Sequence, residues 1–435
     1  MIGALALHSP DPAAAPPQTL ADWSRMNADW IARQVTPNAT VPDPSPGRRR
    51  LVLSYQVAPE RLPYGYHRSS TYDNALAALA LLIAGERDEA AFILHAVARL
   101  IRPDGSLWFG YNTANAWPSE NSHESALVRA GALGWAGYAF AFYLANTPPC
   151  AEQDDGCRRE REIFTRAADR IAGYLVSKQV TDPGDRRFGL ILLGYGMIEL
   201  DYVPDRNEVV EAYVDGPADR ISIENNLSAW FFLRELARLS GEARWEQAAE
   251  QVAQGLAKSW HEQHRQYNRG YAEDGTPDEV LALDCGSWGA LHLLAVGNRA
   301  QATQALEATV RRYAAEDGKA AGFRPYADLL VHESRLINAF FYPDAPQTTW
   351  NDVPLVWSEG SLGVALAYVR AGEPDRARKI LEDLRPMQVP GSGLRYATRD
   401  IPFQMTDVPG VAGAAWLVFV AEDLLGNPLA RKLWR

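Results

Sequence analysis

Apolar positions along this chain recur in a repeated couplet. A strongly apolar helical run ends at a glycine, and a more polar, alanine-containing helix begins at once. The junctions LIAGERDEAA, RLSGEARWEQAA, LAVGNRAQA and VRAGEPDRA all follow this rule. Glycine just past a helix takes the left-handed backbone that closes the last turn and sends the chain back. The couplets predict helix pairs over 70–85 and 88–101, 222–241 and 243–260, 283–296 and 300–313, and 357–371 and 374–384. Residues 123–146 and 158–178 read as a further pair, with single helices over 19–34 and 411–425. In 222–241, Ser222 sits where an N-cap belongs, and Leu227, Trp230, Phe231, Leu233, Leu236 and Ala237 fall at helical spacings. Phe232 and Leu239 add apolar surface elsewhere, as in a helix buried nearly all round.

The first helix of each pair is the more apolar. That asymmetry predicts an inner set of helices wrapped by an outer one. Pairing the last helix with the first gives about twelve helices in roughly six hairpins. The connections differ in character. Residues 48–58 read as extended and 59–66 as loop. Residues 102–122 and 323–356 are long loops rich in aromatic residues, and 182–220 reads as an extended insertion or hairpin. The leader 1–18 is Ala/Pro-rich and reads as a signal remnant or a disordered segment, leaving 19–435 as one domain.

The segments TYDNALAALALL, SIENNLSAW, LDCGSWGAL and WSEGSLGVALAY, in that order and each followed by its glycine-turned partner, resemble the six-hairpin glycosidase-like proteins of bacterial sugar metabolism. The resemblance spans roughly residues 70–385. It implies an all-α (α/α)6 toroid whose inner helices aim their N-termini at one funnel, with a tendency toward inverting hydrolysis.

The first turns of the predicted inner helices carry Asp73, Glu124, Glu224, Asp284 and Glu359. Acidic residues favour helix N-termini through the dipole alone, so each is singly unremarkable. Their company points further. Tyr72 and Asn74 flank Asp73, Asn225 and Asn226 follow Glu224, Trp288 follows Asp284, and Trp357 precedes Glu359. Carboxylates and amides hold sugar hydroxyls, and aromatic faces stack on pyranose rings. Glycoside hydrolysis needs one neutral and one ionised carboxyl, and carboxyls gathered in a poorly solvated space cannot all ionise. By order around the ring, Asp73 and Asp284 lie on opposite helices, with Glu224 and Glu359 flanking Asp284. We read Glu224 as general acid, with packing behind it raising its pKa, and Asp73 or Glu359 as general base. Trp108, Tyr111, Trp117, Tyr342 and Trp350 are the loop aromatics expected to bind sugar.

A net charge of −11 over 435 residues excludes nucleic acid as a natural partner and disfavours a strongly anionic substrate. No apolar run is long enough to span a bilayer. The expected partner is a neutral or weakly charged poly- or oligosaccharide, with no cofactor. His261 and His264, with Glu262, read as a solvated helix end, not a metal site. Cys150 and Cys157 either close as a disulfide in a periplasmic or secreted protein or stand as two loop thiols in a cytoplasmic one. Cys285 reads as inert core.

Other chemistries fit the same architecture. A sugar epimerase would use histidine pairs, for which His123, His292 and His332 are available. A polysaccharide lyase would use His67, Arg68 and Tyr72. A glycan-binding protein would keep the aromatics and leave the carboxylates incidental.

Overall fold

The computed structural model describes residues 19–61, 65–115 and 126–435. The leader, Trp117, His123 and Glu124 fall outside the described residues. Thirteen α-helices lie within them: α1 Leu20–Gln34, α2 Thr71–Ile83, α3 Arg87–Leu100, α4 Ala130–Asn146, α5 Asp155–Ser177, α6 Ile223–Ser240 and α7 Ala243–Lys258, followed by α8 Leu283–Ala295, α9 Arg299–Tyr313, α10 Arg335–Phe341, α11 Ser358–Ala371, α12 Pro374–Leu384 and α13 Val411–Leu425. The strands among the described residues are short, apart from the hairpin Gly194–Val203 and Glu208–Ala218. That hairpin occupies the insertion expected at 182–220.

Contacts between helices follow a closed order. Helix α2 packs on α4, α4 on α6, α6 on α8, α8 on α11, α11 on α13, and α13 on α2 again. Each of these six also packs on an outer partner: α3, α5, α7, α9, α12 and α1 respectively. Burial separates the two sets. Every residue of α2 except Tyr72 is buried, whereas α3 buries one stripe, from Ala90 to Val97. An all-round apolar helix needs neighbours on every side, and a striped one needs a single partner.

The glycine junctions behave as the couplets require. Gly85, Gly241, Gly297 and Gly372 have φ of 94°, 69°, 83° and 89°. Side chains rarely adopt that region, so glycine is what lets each inner helix stop and its partner begin.

Two boundaries depart from expectation. Helix α4 starts at Ala130, because Val128–Arg129 pairs as a strand with Gly194 and Tyr195 of the hairpin. The stretch 323–356 is not all loop, since it contains α10. Asn338, in α10, donates to Pro346 O and Thr348 O at 2.9 and 3.1 Å and holds that excursion together. Cys150 and Cys157 form a disulfide. No helix of the described residues is long and apolar enough to cross a membrane.

Candidate active site

A short strand leads into each of α2, α4, α6 and α8. The second helical position is the informative one. It is held by Tyr72 in α2, Gly131 in α4, Glu224 in α6, Asp284 in α8 and Glu359 in α11. All five line one cavity of about 950 Å³.

One turn deeper, the sixth helical position of every other inner helix is tryptophan: Trp135 in α4, Trp288 in α8 and Trp416 in α13. Positions four apart stack on one helix face, so these indoles lie beneath the second-position ring. Their centroids stand 5.8, 5.4 and 5.7 Å apart, close enough for mutual edge and stacked contact. The intervening inner helices carry Leu76, Ser228 and Gly363 at the same position. A Cβ at Gly363 would fall 2.9 Å from Trp288 Nε1, so the missing side chain makes room for the indole. Trp434 closes the stack from the far side, 4.4 Å from Trp135 and 4.5 Å from Phe231.

The cavity therefore has an aromatic floor and three carboxyls on consecutive inner helices, Glu359 buried and Glu224 and Asp284 half-buried. Burial raises Glu224 to about 7. Burial raises Glu359 to about 8, with the charges of Asp73 and Glu224 adding and the Tyr72 hydroxyl opposing. Asp284 is pushed well up by burial and by Glu224 and Glu359. Its Oδ1 is buried with no hydrogen-bond partner among the described residues. Glu359 accepts a hydrogen bond from the Tyr72 hydroxyl, which in turn accepts one from Trp416 Nε1 at 3.1 Å. Glu224 sits on α6 and Glu359 on α11, flanking α8, while Tyr72 projects from α2 across the ring.

Asp73 lies one residue past the second position and does not line the cavity. A single residue is about 100° of helix rotation. That turn buries the Asp73 carboxylate against its own N-cap, where Ser70 Oγ donates to it at 2.7 Å. Asn74 and Asn226 are also structural. Asn74 accepts from Val52 N and donates to Ser69 Oγ and Ser70 O. Asn226 accepts from Ile191 N and donates to Ile191 O and Ser222 O. Both sit at the fourth helical position and pin a neighbouring strand to the helix mouth. Asn225 does line the cavity, and its carbonyl accepts from the Gly131 amide.

Among the aromatics, Trp288 and Trp357 line the cavity. Trp108 and Tyr111 pack away from it, beneath Arg102 and Arg48 respectively. Trp350 is buried against Tyr326, and Tyr342 lies near His332. An aromatic-rich loop carries no register, so its sequence does not say which ring turns inward. Phe109, Tyr271, Tyr326 and Tyr396 are the loop and strand aromatics that face the space.

Sequence reasoning also missed three cations in the wall, Arg129, Arg220 and Arg269. Arg129 donates to the carbonyls of Val128, Tyr195 and Gly196. Arg269 pairs with Asp278 and Glu333. A signal exists for Arg129, which directly precedes an inner helix, but a single helix over 123–146 hides it. Among the described residues, no histidine lines the cavity. His292 is buried beside Trp230 and bonded to the Tyr267 hydroxyl at 2.9 Å, and His332 is buried beside Phe341.

No protein-family model matches the sequence, and no curated protein aligns with it. Solved structures do match. A D-mannose isomerase superposes with a TM-score of 0.57 at 9% identity, over 94% of this chain and 97% of that one. A glycosidase variant in complex with glucose gives 0.57 at 10% identity over 94% and 97%. A GH63 mannosylglycerate hydrolase from Thermus thermophilus, also with glucose, gives 0.56 at 14% identity over 91% and 99%. The likeness is one of fold: this chain shares the overall helical architecture of these structures.

Proposed function

We propose that residues 19–435 form one (α/α)6 toroid acting as a glycoside hydrolase, with Glu224 as general acid and Glu359 as general base. The observation that carries this reading is the convergence of carboxyls from the second positions of α6, α8 and α11 on one tryptophan-floored cavity. Two carboxyls facing the same space lose their protons in two steps, since ionising the first holds the proton on the second. The values near 7 and 8 make the singly ionised state dominant between them, with the proton mostly on Glu359 and about tenfold less often on Glu224. In the productive minor form the proton sits on Glu224, which protonates the leaving-group oxygen, and the Tyr72 hydroxyl supports the charge on Glu359. Ionised Glu359 then draws a proton from the attacking water on the opposite face of the ring, which inverts the anomeric centre. Asp284 stays neutral and offers its unpaired Oδ1 to a sugar hydroxyl. Asp73 takes no part in proton transfer.

The cavity lies at the upper end of the roughly 300–1,000 Å³ of small-molecule sites, which suits an oligosaccharide. Arginines in its wall accommodate a weakly acidic substituent on an otherwise neutral sugar. The disulfide supports a periplasmic or secreted location. Epimerase chemistry is less well supported, because the described wall offers no histidine acid–base pair.

A glycan panel assayed for new reducing ends, with product anomers followed by NMR, tests the reading. Hydrolysis with inversion is expected, and Glu224→Gln or Glu359→Gln should each lower kcat by roughly 10²–10⁴ with the circular dichroism spectrum unchanged. Isomerised sugar, unsaturated product, or full activity in both variants would refute it.

A further inference from the structure

We propose that His261, His264 and Glu279 form a binding site for a zinc-class divalent cation at the rim of the cavity. Glu262, the carboxylate nearest in sequence, is occupied elsewhere, accepting from Trp260 Nε1 at 2.8 Å. The fold supplies Glu279 in its place, from the segment after Pro277–Asp278. One ligand atom from each of the three residues lies within 4.8 Å of the others. His261 Nε2 and Glu279 Oε1 are 3.7 Å apart. Zinc bonds of about 2.0–2.2 Å in a tetrahedron set ligand atoms about 3.4 Å apart, so that edge is nearly formed already.

The two histidines are presented by a tight turn between strands Trp260–His261 and Gln266–Tyr267. Arg265 N donates to His261 O at 2.8 Å, and Arg312 Nη1 donates to His264 O at 3.2 Å. Both backbones are thus held, and the imidazoles stack with centroids 4.0 Å apart. Glu279 is exposed, so its side chain can swing to shorten the remaining edges. His264 N donates to His261 Nδ1, which places that ring's proton on Nε2. Coordination through Nε2 moves the proton to Nδ1, exchanging the amide contact for a metal bond.

Two imidazoles and a carboxylate select zinc, cobalt, nickel or copper over magnesium and calcium, which prefer all-oxygen sites. Three protein ligands leave a fourth position for water. The charges of Glu279 and Asp328 favour a cation here, and that of Arg312 opposes it. Thr276, Pro277, Asp278, Glu279 and Val280 all line the cavity, so an ion on Glu279 would fix one arc of its mouth. This inference stands apart from the hydrolase reading, since none of the three residues is a proposed acid or base.

Calorimetric titration of tag-free protein with ZnCl2, and absorption spectra with Co²⁺, test it. One Zn²⁺ per chain and the visible bands of four-coordinate cobalt are expected. His264→Ala and Glu279→Gln should each weaken binding more than about tenfold. Both positions are at least partly exposed, and circular dichroism would verify that the variants fold. Absence of stoichiometric binding would overturn the proposal, as would equal affinity in wild type and both variants.

Discussion

Replacing Glu359 with Gln should make the protein more stable at alkaline pH while disabling it. The ordinary glutamate pKa is 4.5, and burial lifts Glu359 to about 8. Gln fills the same volume, still accepts from the Tyr72 hydroxyl, and never ionises. With the folded pKa above the unfolded one, the neutral carboxyl's stabilising contribution is complete below about pH 4.5. It is lost as pH rises through about 8, because ionisation costs less in the unfolded chain. A rise of about 3.5 pH units at about 1.36 kcal/mol each sets the penalty near 5 kcal/mol at pH 9. An unfolding entropy near 2.1 cal/mol/K per residue over 435 residues is about 0.9 kcal/mol/K, so Tm should differ by about 5 °C. Thermal unfolding of wild type and variant at pH 5 and pH 9 reads this directly. The curves should nearly coincide at pH 5 and separate at pH 9, the variant melting higher. A variant that melts no higher than wild type at pH 9 would refute a buried, destabilised carboxyl at this position.

Two further changes probe the same construction. Tyr72→Phe removes the hydroxyl that favours ionised Glu359, so the alkaline limb of kcat/KM against pH should move upward by roughly one to two units; an unmoved limb would separate Tyr72 from Glu359. Trp434→Ala empties the underside of the tryptophan floor and should cost about 3–5 kcal/mol in denaturant unfolding, with activity falling less steeply than in the carboxyl variants; a loss below about 1 kcal/mol would show that the floor stands without it.

Much of the helical plan could be read from residues alone, because two local rules govern it. Helical spacing of apolar residues marks the inner helices, and the positive φ after each helix demands glycine, as at Gly241 and Gly372. The site was harder to read for a reason of angle. Asp73, Glu224, Asp284 and Glu359 all sit in a first helical turn, yet Asp73 is one position later than the others and faces its own cap. Only knowledge of each helix's starting residue distinguishes them, and starting residues are the least certain product of periodicity. Asn226 misleads in a related way: a polar side chain in an apolar helix looks like a ligand for substrate, whereas it satisfies the backbone of Ile191. Arginines of the wall, and its tyrosines other than Tyr72, come from loops and strand ends, where no period operates.

The pairing of α1 with α13 has a bearing on biosynthesis. The mates in that hairpin are separated by nearly the whole described sequence, and α13 also fills the gap between α2 and α11. While the ribosome is still working, α1 and the flank of α2 must wait with oily surface uncovered until the last helix emerges. Late-closing contacts of this kind slow maturation and invite association between unfinished molecules, so yield in a cell should respond to chaperone supply more sharply than the finished protein's stability would indicate.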